Sequence, residues 1–151
     1  AVKDPITFFD AILRFVQIYN KDRPVEVNVV GLSCLDELTK MKGIDEKVIS
    51  KYDKLHQILK FRSWLGRDKI AALHQKSSVF VSTSIDEPYG VAIREAMLCG
   101  VPVISSRSGG PEDTIWEDTG LLVEIGDAEN IALYLKAIYD GDINFKPKKL
   151  I

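Results

Sequence analysis

Segments of strand character alternate with segments of helical periodicity along the whole chain, and this alternation restricts the fold more than any other feature. In the strand-like segments, β-branched and aromatic residues run together, as in strands buried on both faces. Between them, apolar residues recur at intervals of three and four, as on the buried face of a helix. This alternation predicts a doubly wound, Rossmann-like α/β fold with a parallel sheet. Five strands are expected, at residues 25–30, 58–64, 79–82, 101–105 and 121–123.

The size and charge of the chain fit one domain that does not bind nucleic acid. With 151 residues, of which 46% are hydrophobic, the chain can bury a core without metal or disulfide crosslinks. Its 20 Lys and Arg residues face 22 Asp and Glu residues, so the net charge is -2. No overall positive field therefore attracts nucleic acid or an anionic membrane. We expect a single domain over residues 1–151.

The cysteines and the chain start favour a cytoplasmic location. Cys34 and Cys99 are far apart and form no CxxC pair, which argues against a disulfide scaffold or a structural zinc site. Both are expected to be buried thiols. No apolar run approaches the roughly 20 residues of a membrane span, and residues 1–5 lack the pattern of a signal peptide.

A loop at residues 83–90 is the strongest candidate for a binding site, because it follows a predicted strand and opens directly into a helix. Ligands of doubly wound sheets bind beyond the carboxyl ends of the strands. The first N–H groups of a helix have no intrahelical acceptor, and the helix dipole is positive at that end, so both favour a phosphate. Gly90, at the start of the helix, lets a ligand approach the backbone closely.

Two glutamates lie on either side of this helix start. Glu87 precedes the helix, and Glu95 lies about a turn and a half inside it. Each carboxylate has two acceptor oxygens for hydroxyl donors. With a nucleoside diphosphate between them, Glu95 can accept hydrogen bonds from the ribose hydroxyls. Glu87 can then accept them from a sugar on the other side.

Residues 82–110 combine these features into one pattern. In order, the segment contains Ser84, Glu87, Tyr89-Gly90, Glu95-Ala96-Met97, Gly100, Pro102-Val103-Ile104 and Gly109-Gly110. The pattern, with its two glutamates separated by seven residues, resembles the donor-binding, C-terminal domain of retaining nucleotide-sugar glycosyltransferases of the GT-B fold, of the group 1 type. The resemblance covers residues 3–139 or thereabouts and is most specific in residues 82–110.

The resemblance implies roles for particular residues. The backbone of Tyr89, Gly90 and Val91 would contact the diphosphate and sugar of the donor. Glu95 would bind the ribose, and Glu87 would contact the transferred sugar.

Two further residues follow from the resemblance, together with two departures from the family pattern. Lys3 matches the family's phosphate lysine, whereas its partner arginine and the first strand of the domain would lie upstream of Ala1. The second departure is in the nucleobase loop, where the family commonly has an aromatic residue, an aliphatic residue and a glycine, and this chain has Phe61-Arg62-Ser63-Trp64-Leu65-Gly66. The backbone near Leu65 would contact the base. Trp64 beside it fits either a base contact or an aromatic packed in the core.

The resemblance implies a hexosyltransferase. It would move a hexosyl unit from a nucleoside-diphosphate sugar to an acceptor hydroxyl with retention, and this chain would supply the donor half. The acceptor domain would precede it, would be the only route to any membrane association, and its absence would leave the isolated chain inactive. No cofactor or metal is expected, since Gly141 in Asp140-Gly141-Asp142 predicts a helix end. A nucleotide-sugar epimerase and a non-catalytic sugar-nucleotide-binding module are the alternatives.

Overall fold

The computed structural model describes residues 3–145, which divide into two compact units. The smaller unit comprises residues 20–67, and the larger unit contains the chain before and after it. In chain order, the helices and strands are α1 (Pro5–Ile18), β1 (Val27–Val30), a 3₁₀ helix (Leu35–Lys40), α2 (Glu46–Ser50), a 3₁₀ helix (Lys51–Leu55), β2 (Leu59–Arg62), α3 (Arg67–Gln75), β3 (Phe80–Ser82), α4 (Val91–Leu98), β4 (Val103–Ser106), α5 (Pro111–Thr114), β5 (Gly120–Val123) and α6 (Ala128–Asp140).

All strand pairs are parallel, which confirms the predicted α/β class. The five strands form two hydrogen-bonded sheets rather than one. In the smaller unit, β1 pairs with β2 from Val27 opposite Leu59 to Val30 opposite Arg62. In the larger unit, the strand order is β3-β4-β5, so β4 is central.

The larger unit is stabilised by helix packing and by a cluster of buried residues between a helix and the strands. Helix α1 packs against α6, where the ring of Tyr19 stacks on Phe15 at 4.7 Å and meets Tyr139 edge-on at 5.2 Å. All four residues of β4 are buried. A cluster of buried residues joins α4 to the strands, namely Ile93, Ala96, Val101, Val103 and Ile115.

Several element ends lie where the sequence predicts them. The Asp127 carboxylate accepts a hydrogen bond from the Asn130 N–H at 3.0 Å and so caps α6, which ends at Gly141 with a φ of 79°. Asp140 pairs with Lys136 one turn earlier in the same helix. The segment Asp140-Gly141-Asp142 is therefore a helix end, as expected.

Other ends differ from the prediction for identifiable reasons. Strand β4 begins at Val103, two residues later than expected, because the Val101 N–H donates to the Ala96 carbonyl at 3.0 Å and so terminates α4. Pro102, which follows, has no N–H to donate to a ladder. The sequence also suggests Asp68 as a cap for α3, but the helix begins one residue earlier, at Arg67, and Asp68 lies inside its first turn.

The burial of several side chains differs from what the sequence alone indicates. Cys34 is exposed and Cys99 is only half-buried, so the expectation of two buried thiols is wrong for the first. Trp64 is 92% exposed, which excludes its interpretation as a packed aromatic. His74, expected at a helix surface or boundary, is buried against the Phe80 ring at 5.5 Å. Its burial lowers the pKa of His74, although the charge of Glu95 acts in the opposite direction.

Across residues 3–145, no helix is both long enough and apolar enough to cross a membrane.

Candidate active site

Two loops leave the carboxyl ends of the adjacent strands β3 and β4. The β3–α4 loop comprises residues 83–90, and the β4–α5 loop comprises residues 107–110. The Glu87 N–H donates to the Ser108 carbonyl at 2.9 Å, and the Gly110 N–H donates to the Glu87 carbonyl at 2.8 Å. These two bonds form a short parallel bridge between Glu87 and Gly109. The backbone of Glu87 is thus fixed in place by the neighbouring loop.

Glycines make this close approach possible. A Cβ atom at position 110 would lie 2.5 Å from the Glu87 carbonyl oxygen and 2.8 Å from that of Pro88. Gly109 has a φ of 111°, a conformation that other residues rarely adopt, and its N–H donates to the Glu112 carboxylate at 2.9 Å. The Gly109-Gly110 pair is therefore required by the pairing of the two loops.

Buried serines at the strand ends form hydrogen bonds that stabilise the two loops. Ser84, Ser105, Ser106 and Ser108 are all buried at the carboxyl ends of β3 and β4. The Ser106 hydroxyl donates to the Ser84 carbonyl across the two strands, and the Ser108 hydroxyl donates to the Ser106 carbonyl at 3.3 Å. Ser105, Ser106 and Ser108 belong to no recognised motif of the sequence. Their only sequence signal is an unusual density of hydroxyl groups after a buried strand.

Lys3 and Glu87, the two residues expected to act in catalysis, lie in contact. The Lys3 Nζ atom is 3.3 Å from Glu87 Oε2 and 3.4 Å from Ser84 Oγ. The other oxygen, Glu87 Oε1, accepts a hydrogen bond from the Gly90 N–H at 3.1 Å. The Thr83 hydroxyl donates to the Asp4 carbonyl at 2.6 Å and so ties the segment before α1 to the same loop.

The Glu87 carboxylate is held in its charged form. Only 14% of its side chain is exposed, and burial by itself raises the pKa of the carboxyl. The hydrogen bond from Gly90 and the hydrogen bond and charge of Lys3 outweigh burial, so the net effect is a lowered pKa. Glu87 is therefore an anionic acceptor at neutral pH.

Helix α4 presents free donors beside this ion pair. Gly90 precedes the helix with a φ of 58° and provides no side-chain cap. By position, the N–H groups of Val91, Ala92 and Ile93 have no intrahelical acceptor. The Gly90 N–H, by contrast, is already bonded to Glu87. The side chains of Tyr89 and Val91 are exposed on either side of Gly90, so the helix start is open to a ligand.

The remaining predicted residues lie in two places. Glu95 is half-buried on α4, one turn beyond Val91 and in the same unit as Lys3 and Glu87. Leu65 is half-buried in the smaller unit, after β2 and next to the exposed Trp64. The larger unit thus contains a lysine, two carboxylates and the open start of a helix, a set that can hold an anion and hydroxyl donors.

A family model described as glycosyl transferases group 1 matches residues 8–150. The chain belongs to this family. Its residues 3–145 show the parallel α/β arrangement of a Rossmann-like fold, which solved GT-B glycosyltransferase structures share over most of the chain. Family membership rests on almost the whole chain and not on the glutamate motif alone.

Known proteins agree with this assignment. Over 71 residues, the chain is 42% identical to N-acetyl-alpha-D-glucosaminyl L-malate synthase from Bacillus anthracis, covering 46% of the chain and 19% of that protein. It matches the structure of sucrose-phosphate synthase from Thermosynechococcus elongatus with a TM-score of 0.70 and 27% identity, covering 91% of this chain and 34% of that one. It matches Anabaena HepE, solved with UDP and glucose, with a TM-score of 0.70 and 25% identity, covering 94% and 38%.

The chain spans only part of its relatives. It covers 12% of the length of sucrose-phosphate synthase from Spinacia oleracea and 31% of the length of D-inositol 3-phosphate glycosyltransferase from Streptomyces scabiei.

We expect Gly110→Ala to lower the free energy of unfolding by about 1–3 kcal/mol, the usual cost of overpacking. The added Cβ would overlap the carbonyl oxygens of Glu87 and Pro88, whereas the φ of -74° at Gly110 suits alanine. Chemical denaturation measures the effect. Gly66→Ala is the matched control, because apart from its chain neighbours no atom lies within 4 Å of a Cβ there. Equal stability of the two variants would contradict the close pairing of the loops.

Proposed function

We propose that this chain is the donor-binding half of a retaining glycosyltransferase. It would bind a nucleoside-diphosphate sugar whose hexosyl unit passes to an acceptor hydroxyl. The observation that carries the proposal is the convergence of Lys3 and Glu87 on the open start of α4. A cation, a carboxylate and backbone N–H groups at one point match the phosphates and hydroxyls of such a donor.

The diphosphate is assigned to the start of α4. Negative charge grows on the diphosphate as the glycosidic bond breaks, and fixed donors that meet this charge lower the barrier. Lys3 and the N–H groups of Val91, Ala92 and Ile93 supply that positive potential. Donors of the protein itself would therefore stabilise the leaving diphosphate, and no metal or cofactor is needed for this step.

The two glutamates take different parts of the donor. Glu95 lies one turn beyond the phosphate-binding N–H groups, where it can accept hydrogen bonds from ribose hydroxyls. Glu87 lies before them and faces the transferred sugar. The backbone of Tyr89 and Gly90, which lies between the two glutamates, is assigned to contacts with the diphosphate and the sugar.

The comparisons favour transfer over the alternatives. The family model is that of glycosyltransferases, and several of the similar curated proteins carry glycosyltransferase names. The similarity to Anabaena HepE, solved with UDP and glucose, supports a nucleotide sugar as the donor. An epimerase or a non-catalytic module is not favoured by any of these matches.

Transfer is tested by nucleoside diphosphate release. We expect the isolated chain to bind donor without turnover, since half of a two-domain cleft can neither orient an acceptor nor exclude water. A longer protein that contains this chain and a preceding acceptor domain should release nucleoside diphosphate only when an acceptor is added. Acceptor-free conversion of the donor sugar would contradict a transferase, and full turnover by the isolated chain would contradict the half-site.

We expect Glu95→Gln to weaken nucleoside diphosphate binding by roughly 1–2 kcal/mol, because a neutral amide forms weaker hydrogen bonds with ribose hydroxyls than a carboxylate. Calorimetry with UDP, GDP and ADP measures the loss, and the melting temperature of the variant should stay close to that of the parent. Glu129→Gln, at an exposed position on α6, removes the same charge far along the chain and serves as the control. Equal affinity of parent and Glu95→Gln would mean that Glu95 does not bind the ribose.

A further inference from the structure

The carboxylate of Glu87 occupies the Lys3 ammonium, which the proposed function assigns to the diphosphate, and the Gly90 N–H, which lies next to the other assigned donors. Its two oxygens bind the Gly90 N–H at 3.1 Å and the Lys3 ammonium at 3.3 Å. Carboxylate and phosphate oxygens are both anionic acceptors and compete for the same N–H and ammonium groups. In the described structure, the protein's own anion therefore lies where a diphosphate oxygen would bind.

We propose that Glu87 is a selectivity residue that holds Lys3 and Gly90 against free nucleoside diphosphate and gives them up only to the intact sugar nucleotide. This inference rests on the proposed function. A free diphosphate has to displace the carboxylate and leaves it without its partners. An intact donor also displaces it, but the donor's sugar hydroxyls then provide new hydrogen bonds to Glu87. The sugar thus compensates for the displacement, and the released product does not.

The displacement requires only side-chain motion. The backbone N–H and carbonyl of Glu87 are bonded to Ser108 and Gly110, so the loop stays in place while the carboxylate turns. The Lys3 side chain is 63% exposed, so its ammonium can move with a phosphate. Ser84 Oγ remains beside the ammonium as a neutral acceptor. A change of rotamer at two side chains therefore suffices.

The selectivity has a consequence for turnover. Nucleoside diphosphate is the product that remains on the donor half after transfer. When the sugar leaves, Glu87 loses its hydroxyl partners and again competes for Lys3 and Gly90. The same carboxylate therefore favours donor binding before transfer and product release after it.

The test compares Glu87→Gln with the parent chain, using calorimetry with a nucleoside diphosphate and with the matching intact sugar nucleotide. The amide keeps the size of the side chain but loses the charge that holds Lys3. We expect free nucleoside diphosphate to bind the variant about three- to tenfold more tightly. The intact donor should gain nothing or lose affinity, so that the preference for donor over diphosphate falls by about tenfold.

Asp86→Asn is the matched control, because it removes one negative charge from the neighbouring exposed position of the same loop. A general change in charge would strengthen the binding of both ligands equally in both variants. An equal gain in Asp86→Asn would therefore overturn the role of Glu87. So would unchanged or weaker binding of nucleoside diphosphate to Glu87→Gln.

The outcomes separate this inference from the proposed function. If the parent chain binds no nucleotide, the proposed function fails and the inference fails with it. If the parent binds nucleotide and Glu95→Gln weakens that binding, but Glu87→Gln does not strengthen it, only the inference fails. If Glu87→Gln does not fold, Glu87→Asp replaces it, because the shorter side chain reaches Lys3 less well and should give the same changes at a smaller size.

Discussion

The candidate site depends on the backbone pairing between the β3–α4 and β4–α5 loops. Two hydrogen bonds, from Glu87 to Ser108 and from Gly110 to Glu87, fix the position of the Glu87 backbone. These hydrogen bonds require glycine at position 110, because the two loops come too close there for a side chain. The first turn of α4 follows directly from the loop so anchored. The backbone of Glu87 and the start of α4 are therefore held in register by main-chain hydrogen bonds.

This anchoring suits the assigned chemistry. Stabilisation of a leaving diphosphate is effective when its donors are already in place before charge develops. Helix N–H groups satisfy that requirement because the helix itself orients them. Lys3 is the mobile part, on an exposed side chain that reaches the site from the segment before α1. The fixed helix N–H groups can hold the diphosphate, and the Lys3 ammonium can move with it when it leaves.

Local patterns in the sequence predicted the elements well and the site in part. Asp127 and Gly141 define the ends of α6, and the glycine at position 90 marks the start of α4, because caps and helix starts depend on neighbouring residues only. The contact of Lys3 with Glu87 spans 84 positions, so no local pattern contains it. Glu87 was predicted from its position before the helix start, whereas Lys3 was identified through the family resemblance.

Burial was the least predictable property. The large aromatic side chain of Trp64 is 92% exposed, whereas the polar side chain of His74 is buried against Phe80. In both cases the tertiary structure, and not the residue type, decides the environment. The division of the strands into two sheets could not be predicted from the individual strand segments either, because each strand has the same buried character.

The most direct test of the account is a titration of the isotopically labelled chain with nucleoside diphosphate, followed through its amide NMR signals. The account predicts that the N–H groups of Val91, Ala92 and Ile93 shift most, because they are assigned to the diphosphate oxygens. The Gly90 signal should shift as well, when Glu87 releases its N–H. Shifts confined to other parts of the larger unit, with these four signals unchanged, would contradict the central claim that the start of α4 binds the diphosphate.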